Sequence, residues 1–233
     1  EKLTIGEAAQ LLGVSIDTLR RWDKKGKLSA WISPGGHRYY PKIELEAYRH
    51  DIFAIAGEWV LGAPNEPESK YYCPTSVDFK GRLSKLQQEL EKEKELKKQY
   101  SLIVAVAGEI GNNSFDHNLG NWPDIPGAFF AHNINKRQLA LADRGRGVLK
   151  TIKNIKPEVK NYEEALKTAF TEVISGRSPE ARGNGLKFVL EIAINSPMKI
   201  EFYSGDAKAS ISKKLLISRV DTYYSGCLAL VSY

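Results

Sequence analysis

Glu109-Ile110-Gly111-Asn112-Asn113-Ser114-Phe115-Asp116-His117 lies within an apolar, helical run that starts near Leu102, and no other stretch limits the fold as strongly. Residues four apart on a helix share a face, so Glu109 and Asn113 point the same way, with Asp116 and His117 near that face one turn later. Two glycine-bearing turns follow: Asp143-Arg144-Gly145-Arg146-Gly147 after the apolar strand Gln138–Ala142, and Gly183-Asn184-Gly185-Leu186 before a helix. An amide oxygen suits a hard cation such as Mg²⁺. A neighbouring carboxylate can take a proton from water or a hydroxyl. Glycines let a backbone approach a ligand closely, and a helix N-terminus presents N–H groups to anions. Taken singly, each signal also has an ordinary reading: a polar exposed helix face, an Asp-Gly turn, a loop.

A chain of 233 residues can hold one large domain and a small one. With 42% apolar and 27% charged residues it reads as a soluble globular protein. No run of about eighteen apolar residues is present, so no membrane partner is expected. The start of the chain reads as neither a signal nor a transit peptide. Cys73 and Cys227 lie far apart and read as reduced thiols of a cytoplasmic protein. The net charge of +6 favours an anionic partner.

Residues 1–52 read as a compact basic module. Thr4 and Glu7 form a capping box, and Ile5, Ala8, Ala9 and Leu12 make the inner face of a first helix ended by Gly13. Ser15 opens a second helix to about Lys25, with Ile16, Leu19 and Trp22 inward. Apolar flanks around Pro34-Gly35-Gly36 predict a two-stranded wing, and a third helix starts at Lys42. The stretches Thr4–Asp23 and Pro34–Tyr39 resemble the MerR/excisionase winged helix-turn-helix family. That resemblance implies binding of double-stranded DNA by a homodimer, with the second helix in the major groove. Ser15, Thr18, Arg20, Arg21 and Lys24 are then the candidate contacts on that helix, and His37 and Arg38 those on the wing. Nine Lys and Arg against six Asp and Glu in residues 1–50 leave only a modest positive balance there.

Residues 53–77 are expected to be a linker. Residues 78–99 are expected to be a connecting amphipathic helix, with Phe79, Leu83, Leu86 and Leu90 packing on their own domain or on a second copy. From residue 100, the pattern ends in strands at Lys199–Tyr203, Lys214–Val220 and Cys227–Tyr233, which with grouped helices predicts an α+β fold with a two-layer α/β sandwich.

Together and in order, the three signals of residues 100–233 resemble the GHKL (Bergerat-type) ATP-binding domain. The resemblance implies ATP and Mg²⁺ as ligands, Glu109 as general base and Asn113 as the Mg²⁺ ligand, with Asp116 close by. It implies Asp143 for the exocyclic amine of adenine, Gly145 and Gly147 for the nucleotide turn, and Gly183, Gly185 and Leu186 for the phosphate end. Residues 148–182 would be a mobile lid, with Arg177 or Arg182 steadying the γ-phosphate. Two departures stand out. Cys227 occupies the place where the family often sets a Thr supporting the adenine-binding Asp, and a thiol is a poorer hydrogen-bonding group. Asp116 stands where sensor kinases commonly carry a basic residue. The expected function is a DNA-binding regulator switched by nucleotide, acting with a partner protein encoded nearby, in a toxin–antitoxin-like or anti-sigma-like pair. The alternatives are a serine/threonine kinase of anti-sigma type acting on a STAS-like partner, and a plain ATPase.

Overall fold

The computed structural model describes residues 1–49, 51–173 and 185–233, and the chain divides into two compact units, Glu1–Ile55 and Ala56–Tyr233. Arg177, Arg182 and Gly183 lie outside the described residues.

The first unit opens with β1 (Lys2–Thr4), α1 (Ile5–Leu12) and α2 (Ile16–Lys24). Thr4 and Glu7 cap α1 reciprocally: the Glu7 N–H donates to Thr4 Oγ1 (3.3 Å) and the Thr4 N–H to Glu7 Oε2 (2.8 Å). Gly13 ends α1 at φ 67°, a left-handed turn that a side chain would strain. Strands β2 (Trp31–Ile32) and β3 (Arg38–Pro41) form the wing, β1 joins β3 to complete a three-stranded sheet, and α3 (Lys42–Arg49) follows. Ala8, Leu19, Tyr40 and Leu45 are fully buried at the centre, with Trp22 beside them. Ile16, expected on the inner face, is instead exposed and takes no part in this core.

The second unit is α+β. Helix α4 (Ile52–Leu61) leads into it; β4 (Tyr72–Cys73), α5 (Ser76–Lys92), a 3₁₀ turn (Lys94–Leu96) and α6 (Tyr100–Asn118) follow. Then come β5 (Ala128–Asn133), β6 (Gln138–Asp143), α7 (Gly147–Lys153), α8 (Tyr162–Thr171), α9 (Gly185–Ile194), β7 (Lys199–Ile211) and β8 (Leu215–Ser232). The sheet is antiparallel throughout, in the order β4-β5-β6-β8-β7. Strand alternation puts Phe130, Leu141, Ala229 and Phe202 on one face, where they meet Phe79, Ile103, Ile110, Leu166 and Val189 of the helices in one core.

Several expectations change. The stretch 53–77 is no free linker: it holds most of α4, and β4 pairs with β5. Trp59 and Tyr71 pack on Phe129, on the sheet face away from the main core. The helix expected over 78–99 runs from Ser76 to Lys92, and its apolar residues Phe79, Leu86 and Leu90 are fully buried within their own unit. Leu83 packs against the same core, so all four residues face their own unit. The two strands expected at 214–220 and 227–233 are one continuous strand, β8, which pairs with β7 along most of its length. The expected lid is largely built into the core, because Val148, Ile152, Leu166 and Phe170 of α7 and α8 are buried there.

Helix α5 lies unusually close to α6. A Cβ on Gly111 would stand 2.0 Å from the Phe79 ring, and that ring is held by Phe115 and Phe130. Gly111→Ala gains about 1 kcal/mol of helix propensity. It loses about 1–3 kcal/mol or more to overpacking, because a fully buried ring has nowhere to move. With an overlap this deep the upper part of that range applies, and a net loss of roughly 1–2 kcal/mol is expected by urea denaturation. Equal or greater stability of the variant would contradict this packing.

Candidate functional site

Helix α6 carries two polar pairs at helical spacing. Ser114 and Asn118 are buried and turn toward the end of β6, while Glu109 and Asn113 are half-exposed and turn toward α9. At the end of β6, Asp143 is buried. Ser114 Oγ donates to its Oδ2 (2.9 Å), and the Gly145 N–H and Asn118 Nδ2 donate to its Oδ1 (2.9 and 3.4 Å). Asn118 in turn accepts from the Arg146 N–H (2.8 Å). Burial pushes the Asp143 carboxyl up to about 6, with the hydrogen bonds from Gly145, Ser114 and Asn118 working against that rise.

Arg144, the next residue, points to the opposite side of the strand. It is buried, and its Nε and Nη2 donate to Asp124 Oδ2 at 3.0 and 2.8 Å. Its Nη1 donates to the carbonyls of Trp59, Val60 and Gly62 at the end of α4. A cation at a helix C-terminus both satisfies orphan carbonyls and offsets the helix dipole.

The turn after β6 is fastened to β7 and β8. Ser204 Oγ is fully buried, donates to the Gly226 carbonyl (2.8 Å) and accepts from the Val148 N–H (3.0 Å). Gly226, at φ 79°, backs onto the same turn: a Cβ there would meet the Asp143 carbonyl oxygen at 2.2 Å. The register between β7 and β8 shifts at Ser204–Ala207, where β8 leaves β6 and continues with β7 alone.

Between these elements lies a cleft of about 1010 Å³. Asp143, Leu141 and Ala229 line its sheet side, and Glu109, Asn113 and Asp116 its α6 side. Gly147 and Thr151 line it from α7, Gly185 and Leu186 from α9, and Lys80 from α5. Gly185 abuts α6 so closely that a Cβ there would lie 2.7 Å from Glu109 Oε2 and 3.4 Å from Asn113 Nδ2.

Glu109, Asn113, Asp116, Asp143, Gly147, Gly185, Leu186 and Cys227 are therefore brought to one cleft. Gly145 is not among the residues lining it. A Cβ there would sit 2.1 Å from the Asn118 amide, so this glycine makes room for a side chain of the protein. The Cys227 thiol is directed to Ser204 Oγ (3.8 Å), and burial raises it well above the ordinary thiol range. Support for Asp143 comes from Ser114 and Asn118. Those two residues had a legible signal in their four-residue spacing; Ser204 and Lys80 had none, because only the tertiary fold brings them near. Among the described residues no group of three or more His, Cys, Asp or Glu is placed to hold a metal ion, and no helix is long and apolar enough to cross a membrane.

In the first unit, Arg21 and Lys24 are exposed on α2 and His37 is exposed on the wing. Arg20 is exposed and pairs with Asp17 (2.8 Å). Ser15 and Thr18 are occupied by the cap of α2: the Thr18 N–H donates to Ser15 Oγ (3.1 Å), and the two hydroxyls lie 3.0 Å apart. Arg38 Nε donates to Asp23 Oδ2 (2.8 Å), while Asp23 Oδ1 accepts from the Ala30 N–H (3.0 Å). Those two bonds, Ala30 foremost, hold the Asp23 carboxyl below its ordinary value and fasten the wing to α2. Arg38, expected to contact DNA, thus has a structural partner.

A type II methyltransferase of Escherichia coli, M.Eco47II, is 38% identical to the chain over 60 residues. That match covers 25% of this chain and 14% of the methyltransferase, so the chain spans only a small part of that relative's length. A family model for MerR family regulatory proteins matches residues 4–40. Residues 4–40, which hold both α1 and α2 and most of the wing, are a MerR-family helix-turn-helix.

Proposed function

We propose that the chain is a DNA-binding regulator whose second unit binds ATP with Mg²⁺ and uses it as a switch. The observation that carries this reading is Asp143, a buried carboxylate beside a cleft whose other wall presents Glu109, Asn113 and Gly185. Ser114, Asn118 and the Gly145 N–H fix its orientation; two of these donors reach Oδ1 and one reaches Oδ2, which leaves Oδ2 as the oxygen with further acceptor capacity. The residues fit the nucleotide in kind: an acceptor for an exocyclic amine, a glycine where a side chain would collide with the acid, and an amide for a cation that keeps most of its waters. Bound ATP with Mg²⁺ would supply the transferable phosphoryl group and its counter-charge. Glu109 would take the proton of the attacking water, Asn113 would hold the cation, and Asp143 would select the base. On the first unit, Arg20, Arg21 and Lys24 would face the DNA, with His37 on the wing.

The test is fluorescence anisotropy on the DNA upstream of the coding region, with and without Mg·ATP, for the wild type and Glu109→Gln. A switch of ordinary strength changes DNA affinity by about 5- to 150-fold. ATP binding without any change in DNA affinity would rule out the switch, and no ATP binding at millimolar concentration would rule out the nucleotide site. Persistence of the effect in Glu109→Gln assigns it to binding, not to hydrolysis. Label from γ-labelled ATP appearing on a co-purified protein would instead favour the kinase reading. Arg21→Ala is expected to weaken all DNA sequences alike and to lower the salt slope by about 1.

A further inference from the structure

We infer that Lys80 grips the terminal phosphate of the nucleoside triphosphate and makes the cleft prefer ATP to ADP; this rests on the nucleotide reading above. Among the described residues the cleft is lined by three carboxylates, Glu109, Asp116 and Asp143, and by one Lys or Arg, Lys80. A polyphosphate entering such a site meets repulsion unless fixed positive charge faces it.

The close packing of α5 on α6 places this lysine. Phe79 fills the notch at Gly111, and Leu83 Cδ2 lies 3.4 Å from a Cβ position on Gly108. Lys80 follows Phe79 directly, so it is level with the Glu109–Asn113 stretch of α6, the stretch that abuts Gly185. The base side of the cleft, at Asp143, is held by Ser114 and Asn118 further along the same helix. Lys80 is exposed at its rim and makes no ion pair among the described residues, whereas Lys85 on the same helix lies 3.9 Å from Glu89. An ammonium without a carboxylate partner keeps three donors for an incoming anion. Asp116 brings an acid to the α6 side of the cleft, and α5 supplies the cation that faces it.

Equilibrium titration with Mg·ATP and Mg·ADP tests this, using the wild type, Lys80→Ala, Lys80→Arg and Lys85→Ala, with thermal melts to verify folding. Lys80→Ala is expected to weaken ATP about tenfold and to leave ADP within about twofold, as loss of one charge-assisted contact to the last phosphate predicts. Lys80→Arg should retain most of the ATP preference, and Lys85→Ala should match the wild type. If the wild type binds both nucleotides and Lys80→Ala weakens both equally, or neither, Lys80 has no such role and the nucleotide site stands. If the wild type binds neither, the nucleotide reading and this inference fall together.

Discussion

Asp143→Asn is expected to abolish ATP binding, by about 100-fold or more, while leaving the second unit folded. The amide can keep the local bonds, since its oxygen can accept from the Gly145 N–H and its NH₂ can donate to Ser114 Oγ. Toward the base, however, a donor replaces an acceptor, and a site built to pair with a ligand's N–H groups discriminates strongly when its own group is mismatched. The neutral amide also removes the cost of a buried charge, so the variant should melt at or above the wild-type temperature at pH 7. The pH dependence gives an independent check. Asp143 is raised to about 6, so the folded state holds this proton more tightly than the unfolded chain does. Its stabilising contribution is complete below about pH 4 and is lost as pH rises through about 6. ATP binding needs the ionised acceptor and should run the other way, weakening about tenfold per unit below pH 6. Calorimetric titration at pH 5 and 7 measures the affinities. Wild-type affinity in Asp143→Asn would show that the adenine-site assignment is wrong.

Arg144→Met is expected to cost about 3–5 kcal/mol, because it breaks a buried ion pair and leaves the three α4 carbonyls without their donor. For a unit of this size that is a fall of roughly 6–20 °C in melting temperature, read by circular dichroism. Burial acts against ionisation of Asp124, but Arg144 and the Ile125 N–H outweigh it and hold this carboxyl below its ordinary value. The pair's contribution is therefore present above about pH 4 and lost as pH falls through the lowered value, so wild type and variant should converge in acid. A melting temperature within about 2 °C of the wild type at pH 7 would mean that Arg144 is not the clasp its geometry describes.

The helix-turn-helix was legible because its signals are local. The Thr4–Glu7 box, the Gly13 turn, the pair Ala8–Ala9 on α1 and the spacing of Leu19 and Trp22 on α2 each act within a few residues. Strand β1 was missed because a three-residue edge strand exists only through its pairing with β3. In the second unit the spacing of Glu109 and Asn113 and the turn at Asp143 were readable, since each depends on one helix or one turn. Gly145 was assigned to the nucleotide turn alone because a glycine that accommodates the protein's own amide and one that accommodates a ligand look identical in sequence. Residues 53–77 were obscure because α4 is anchored by Arg144, far along the chain, and β4 by β5. Ser204 and Lys80 reach the site only through β-register and helix packing, which no local pattern encodes.

Gly145, Gly205 and Gly226 stand around one turn, with Cβ positions 2.1 to 2.2 Å from Asn118, Tyr162 and the Asp143 carbonyl respectively. None of those three collisions involves a ligand. A descendant of this chain that had lost its ligand altogether would therefore still be unable to replace these glycines, whereas Glu109 and Lys80, half-exposed and exposed, would be released to drift. Across descendants, the acid and the lysine are the positions whose retention would report a cleft still in use; the glycines would report only that the chain still folds.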